Sequence, residues 1–202
     1  MQTERGIFIS DNYSCSDYRR LCLRINSDSE AWNFAINIFR ERIYGRFINQ
    51  IELLNDNVQR NGFASMALCC LLIDTMYKFE HGSISTNYNE VKYEEMLMTY
   101  LNDVFISLDM ARAFYKGIRC GILHSGETQS GCMLSVTCNH IIEVQGNGLN
   151  TKINVNVIDF SNRVIQYIND YINRLYSGDT QTRKKFIKKM NYLCERESFI
   201  ED

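Results

Sequence analysis

Trp32, Ile36, Phe39, Ile43, Phe47, Ile51 and Leu54 recur at spacings of three and four, and no other pattern constrains this chain as much. At roughly 100° per residue these positions fall on one stripe, so the spacing predicts a long amphipathic helix over about residues 29–55. Nothing in the composition works against it. The 202 residues hold no proline, where usage of about 5% would give roughly ten. Ser27 and Glu30 stand at capping-box spacing ahead of the stripe; such a hydroxyl satisfies a free backbone N–H, and such a carboxylate reaches back to the cap. The opposite face carries Arg40, Glu41, Arg42 and Arg46. That face reads either as solvated helical ion pairs or as a phosphate-binding patch.

Asn55 to Asn57 break this helix, and a second is expected over about 62–80. Its centre, Ala64 to Met76, is apolar nearly all round, as a buried central helix would be. Asp74 is the one acid inside that run. An acid in a core must be paired, so Asp74 either partners an arginine or lines a site. Gly82 is placed to cap this helix, and Ser83 to Asn89 reads as a turn. Further helices are expected over about 89–106 and from Leu108 or Asp109 onward. After Ser130 the period changes. Met133 to Cys138, His140 to Gln145 and Ile153 to Ile158 alternate or are β-branched, with Gly146-Asn147-Gly148 as a hairpin turn. This predicts a small antiparallel β meander over about 131–158. Helices capped by Asp159 or Ser161 (about 160–176) and starting near residue 180 (about 180–197) follow. The last is basic at its start, with Arg183, Lys184, Lys185, Lys188 and Lys189. At the N-terminus, Gly6 to Ser10 and Arg20 to Ile25 suggest short strands around a turn at Tyr13 to Asp17. No repeat and no linker-like composition divides the chain. The expectation is a mainly α single domain, 1–202, with a helical bundle over about 29–126 and 160–197.

With 45% hydrophobic and 23% charged residues, the composition is that of a soluble globular protein. A net charge of -2 gives no global electrostatic case for nucleic acid, so any such binding needs a local basic patch. The eight cysteines sit mostly in apolar surroundings, as at Cys69, Cys70 and Cys194. They read as free thiols of a reducing compartment. Cys132, Cys138 and His140 could suggest a metal set, but no CxxC pair occurs, and no metal or other cofactor is expected. No secretory leader pattern and no membrane-spanning apolar run is read in the sequence, which points to a cytoplasmic protein.

The chemistry concentrates in Phe114-Tyr-Lys-Gly-Ile-Arg119-Cys-Gly-Ile-Leu-His124-Ser-Gly-Glu127-Thr128. Histidine exchanges a proton near neutral pH, and arginine presents a permanent planar cation to a phosphate. A metal-free ribonuclease needs little more: a base for the ribose 2′-OH, a cation for the phosphorane, an acid for the leaving oxygen. On an ideal straight helix, however, residues five apart diverge by about 140°. So either the helix is interrupted near Gly121 or Gly126, or a second copy completes the site. The alternative reading pairs Arg119 with Asp74 and makes His124 a helix-end cap.

Arg119-Cys-Gly-Ile-Leu-His124 late in a helix resembles the Arg-x(4–6)-His signature of the HEPN superfamily. Arg42-Ile-Tyr-Gly-Arg46-Phe, Asn61-Gly-Phe-Ala and Cys70-Leu-Leu-Ile-Asp74 extend the similarity, to a group of uncharacterised bacterial proteins, over about residues 30–130. The resemblance implies a helical bundle that dimerises through its motif helices. It also implies a metal-independent endoribonuclease of the toxin–antitoxin, CRISPR-linked or phage-defence kind, with RNA and an antitoxin or other protein as partners. Arg119 and His124 would be the catalytic pair, and Arg46, Glu127 and Thr128 would hold substrate. Active members carry a polar residue, often Asn, Asp or His, directly after the arginine, where this chain has Cys120. Other members are non-catalytic binding or assembly modules. The strand insert is not part of the minimal HEPN fold.

Overall fold

A computed structural model describes residues 2–3, 6–83 and 89–195. The protein is mainly helical with a small mixed sheet. In order it has β1 (Gln2–Thr3), β2 (Gly6–Ile7), α1 (Cys15–Arg20), α2 (Ser29–Ile43), a π-helical turn (Tyr44–Ile48), α3 (Asn49–Asn55), α4 (Val58–Glu80), α5 (Glu90–Tyr100) and α6 (Leu108–Ala113). A second π-helical turn (Phe114–Cys120), α7 (Gly121–Ser125), β3 (Met133–Ser135), β4 (Ile142–Gln145), a 3-10 turn (Gly148–Asn150), β5 (Lys152–Asn156), α8 (Val157–Tyr176) and α9 (Thr180–Glu195) follow. These form two compact units: Met1–Asn49, Lys78–Ser85 and Asn169–Asp202, and Gln50–Tyr77 with Thr86–Ile168.

In the first unit the expected long helix begins one residue later than the capping-box spacing suggests. Asp28, not Ser27, is the N-cap: its carboxylate accepts the Ala31 N–H at 2.8 Å, while the Ser27 hydroxyl accepts the Arg24 N–H. The helix passes through the π turn at Gly45, where an added Cβ would meet Asp11 Oδ2 at 2.6 Å. Where a turn was expected at Tyr13 to Asp17, α1 begins at Cys15 instead, and residues 21–25, expected as a short strand or extended arm, form no strand. Ser14 and Asp17 make a reciprocal capping box that starts a helix at Cys15. The core is aromatic. Phe39 lies 4.7 Å from Phe79 and 5.5 Å from both Tyr171 and Phe186, and Trp32 closes on Phe186.

In the second unit, Phe114, Phe105 and Phe160 pack with centroids 4.9 to 6.2 Å apart, all fully buried. The central helix begins at Val58, four residues before expectation. By length and composition α4 is long and apolar enough to cross a membrane, where the sequence reading found no such run; half of its most apolar window is buried inside the fold. α5 stops at Tyr100 rather than 106, where Arg163 grips Asp103 with two bonds of 2.7 Å and reaches the Tyr100 carbonyl. The strands are not an antiparallel meander. β5 is central, parallel to β3 (Met133↔Asn154) and antiparallel to β4 (Ile142↔Val155), giving the order β3-β5-β4. The reason lies in residues 136–141. The Ser135 hydroxyl accepts the N–H groups of Thr137 and Cys138, and Asn156 holds the Cys138 carbonyl. This turn carries the chain past β3 and delivers β4 to the far edge. The hairpin around Gly146 forms as expected, with positive φ at Gly146 and Gly148. The turn expected at 83–89 lies mostly outside the described residues.

Candidate active site

The motif helix starts at Ser107, whose hydroxyl accepts the Met110 N–H. Its π-helical turn is built around small residues. A Cβ at Gly117 would meet Cys132 Sγ at 2.4 Å and the Gln129 carbonyl at 2.9 Å; one at Gly121 would meet the Glu127 carbonyl at 2.5 Å. The 127–132 segment therefore folds back onto the glycine face. Gln129 donates its N–H to the Gly117 carbonyl at 2.8 Å, and the Cys132 thiol donates to Ala113. Gly126, at φ 72°, ends the helix in the left-handed conformation.

This irregularity resolves the angular problem at Arg119 and His124. Hydrogen bonding from i to i+5 in a π turn brings residues five apart nearer to one another than a regular α-helix does. Arg119 Nη1 lies 3.3 Å from His124 Nε2 within one chain. Arginine only donates, so this contact is a hydrogen bond when Nε2 carries no proton. Arg119 Nη2 donates to Asp74 Oδ2 at 2.9 Å. Its Cζ lies 5.6 Å from the Tyr115 ring centroid and 6.0 Å from that of Tyr93, and Nη1 also approaches Cys120 Sγ at 3.9 Å. Burial pulls the guanidinium pKa down, but the bond and charge of Asp74 outweigh it, so the cation is held more firmly than in water. The Arg119 side chain is 16% exposed and that of Asp74 14%, whereas His124 is exposed. The three side chains thus run from a mostly buried carboxylate, through a mostly buried cation, to an exposed imidazole.

Of the other residues expected here, Glu127 and Thr128 lie in the segment that returns over Gly121, exposed and half-buried respectively. Their side chains make no hydrogen bond or ion pair among the described residues. Arg46 belongs to the first unit, where it donates to the Ile9 carbonyl at 3.1 Å. The basic start of α9 is partly consumed: Arg183 stacks 4.1 Å over Trp32 and donates to Leu175, and buried Lys189 donates to Ser83. Cys138 donates its thiol to the His140 carbonyl. A cavity of about 390 Å³ in the second unit is lined by Phe63, Leu134 and Val157 among others, and not by Arg119 or His124.

Tyr93, and the packing roles of Tyr115, Gly117 and Cys132, escape the sequence reading. Tyr115 stands four residues before Arg119 and Gly117 four before Gly121, spacings that put each pair on one helix face.

The fold and this geometry define a mainly helical protein, with a small mixed sheet, in which Asp74, Arg119 and His124 form a continuous chain of contacts. No protein-family model, no curated protein and no solved structure matches the chain.

Proposed function

We propose that the chain is a HEPN-like, metal-independent endoribonuclease of the bacterial toxin or phage-defence kind, acting as a cytoplasmic homodimer. One observation carries the reading: the 3.3 Å contact of Arg119 Nη1 with His124 Nε2. A scissile phosphate would draw the Nη1 N–H to its oxygen and so release the Nε2 lone pair. That nitrogen would take the 2′-OH proton as O2′ attacks phosphorus, and the imidazolium would return a proton to the departing O5′. Arg119, held by Asp74, would stabilise the phosphorane charge. Arg46, Glu127 and Thr128 are proposed to hold RNA, with an antitoxin or another protein as regulator.

A second reading, a non-catalytic dimeric module that binds RNA, a nucleotide or a protein partner, is favoured by a different observation. Arg119 is already engaged by Asp74, Tyr93, Tyr115 and Cys120, and no hydrogen-bonding side chain such as Asn, Asp or His follows it. The two readings separate on turnover. Wild-type protein and His124→Ala are incubated with a mixed RNA pool in EDTA, and new 3′ ends are analysed. Cleavage by wild type alone, leaving 2′,3′-cyclic phosphates, supports the enzyme. RNA binding without product, weakened by Arg119→Ala, supports the module.

A further inference from the structure

The cavity of about 390 Å³ in the second unit is shared by the first turns of α4 and the β3 side of the sheet. Its floor is apolar, made by Phe63, Leu134, Val136 and Val157. That size and lining, with a few polar groups added, are those of a small-molecule pocket. Phe63 is 46% exposed, although Ser65 and Met66 just after it are fully buried. An uncovered aromatic face is a stacking platform for a flat ring. Gly62 keeps the cavity open. At Gly45, Gly117 and Gly121 an added Cβ would meet an atom at 2.6, 2.4 and 2.5 Å, so packing demands glycine there. At Gly62 the nearest atom would be Val157 Cγ2 at 3.6 Å, an ordinary contact, and the helix imposes no positive φ. Glycine weakens a helix relative to alanine, and no contact within the fold requires it here. It leaves backbone bare beside the cavity, where a ligand can approach closely.

The polar groups of the lining are few and uncommitted. Arg60 stands one turn before Phe63 on the same helix face and is the one charged residue among the described residues that line the cavity. Its guanidinium is exposed and makes no hydrogen bond or ion pair among the described residues. The exposed amide of Gln59, equally unengaged among them, can donate and accept. On the sheet side the Ser135 hydroxyl accepts the N–H groups of Thr137 and Cys138. With both lone pairs filled, Ser135 is the donor in its 3.3 Å contact with Thr137 Oγ1, which leaves the Thr137 proton for a ligand.

We propose that this cavity is a nucleotide site. An unpaired base lies on the Phe63 ring against the bare backbone at Gly62, its polar edge meets Gln59 and Thr137, and its phosphate pairs with Arg60. A flat ring with a polar edge and one anionic group uses every feature of the lining. An alkyl chain would leave Gln59 and Thr137 unmatched, and a base already paired would have its edge occupied. The nucleotide comes either from a single-stranded RNA with a base splayed out or from a free mononucleotide. The first source rests on the reading of the chain as an RNA-cleaving protein, and adds that the strand is taken unpaired. Arg119 and His124 do not line the cavity, so base recognition and cleavage are separable by experiment.

The test is methyl NMR on the full-length chain with two probes it cannot cleave, AMP and a 2′-O-methyl RNA octanucleotide. Millimolar AMP should shift the methyl signals of Leu134, Val136 and Val157. Phe63→Ala and Arg60→Gln, both at exposed positions, should each weaken binding by about tenfold. Gly62→Leu fills the cavity and should abolish binding; should that variant not fold, the Phe63→Ala titration decides. Tighter binding of the octanucleotide than of AMP makes RNA the source, and equal affinity makes it the free nucleotide. Annealing the octanucleotide to its complement should remove its binding. Silent methyl signals with both probes, unchanged affinity in Phe63→Ala, or benzoate binding as tightly as AMP would overturn the proposal. RNA cleavage is scored separately. Cleavage with silent methyl signals removes the site and leaves the enzyme, whereas shifts without cleavage leave the site and remove the enzyme.

Discussion

Arg119 sits between two partners of unequal character. Asp74 holds it from below at 14% exposure, and His124 meets it at the surface. The two contacts should therefore respond differently to deletion. Removing Asp74 leaves a largely buried cation without its counterion, and Asp74→Ala should cost about 3 kcal/mol in urea unfolding. His124→Ala removes an exposed ring and should change stability by less than about 0.5 kcal/mol. Equal losses from both would mark the three residues as one structural unit rather than a base set on a scaffold. The Arg119–Asp74 pair was one of two readings the sequence left open, because a lone acid in the apolar run Ala64 to Met76 demands a cation or lines a site. The flanking ring of Tyr93 was not legible there. Which aromatic faces which guanidinium depends on how α5 packs on the motif helix, and spacing along one helix carries no trace of that.

The motif helix brings Arg119 and His124 together because it is irregular, and glycine permits this. Gly117 and Gly126 make different demands. At Gly117 a methyl group would strike Cys132 and the Gln129 backbone; at Gly126 nothing lies within 4 Å and only the positive φ objects. Gly117→Ala should therefore cost about 2–3 kcal/mol from overpacking, against about 1 kcal/mol for Gly126→Ala. Thermal unfolding of the two variants checks the order. The end of α5 offers a pH test. The hydrogen bond from Arg163 holds the Asp103 carboxyl below its ordinary value. Its contribution is then full above the unfolded aspartate value of about 3.9 and is lost as pH falls from there through the depressed folded value. Asp103→Asn should flatten that part of the acid limb in a plot of thermal midpoint against pH. A limb as steep as wild type would show that the pair adds nothing. At this scale the long stripes and glycine ends were readable because they depend on local spacing. The mixed sheet was not. Its strands were found, but their order turns on Ser135 and Asn156 gripping a short turn, and alternation alone does not reveal which strand is central. The Ser14–Asp17 capping box was not read, and it starts a short helix where only a turn was expected.

For the whole molecule, the absence of proline and the dominance of helical periodicity carry over into a mainly helical fold. The sequence reading did not divide the chain, whereas its contacts group into two units whose segments interleave along the sequence. Such interleaving leaves no linker for composition to reveal. The functional reading has the protein acting as a pair of chains, so sedimentation should return twice the 23.7 kDa monomer mass; a monomer at micromolar concentration would remove the dimer from the proposal. The central claim is that Arg119 and His124 form a metal-free phosphoryl-transfer pair, and RNA cleavage in EDTA tests it most directly. Wild type, Arg119→Lys and His124→Ala would be compared on one RNA pool. The account expects wild type alone to leave 2′,3′-cyclic phosphate ends, with both variants at least about 100-fold slower. Cleavage by His124→Ala at the wild-type rate, or cleavage that EDTA abolishes, would contradict it.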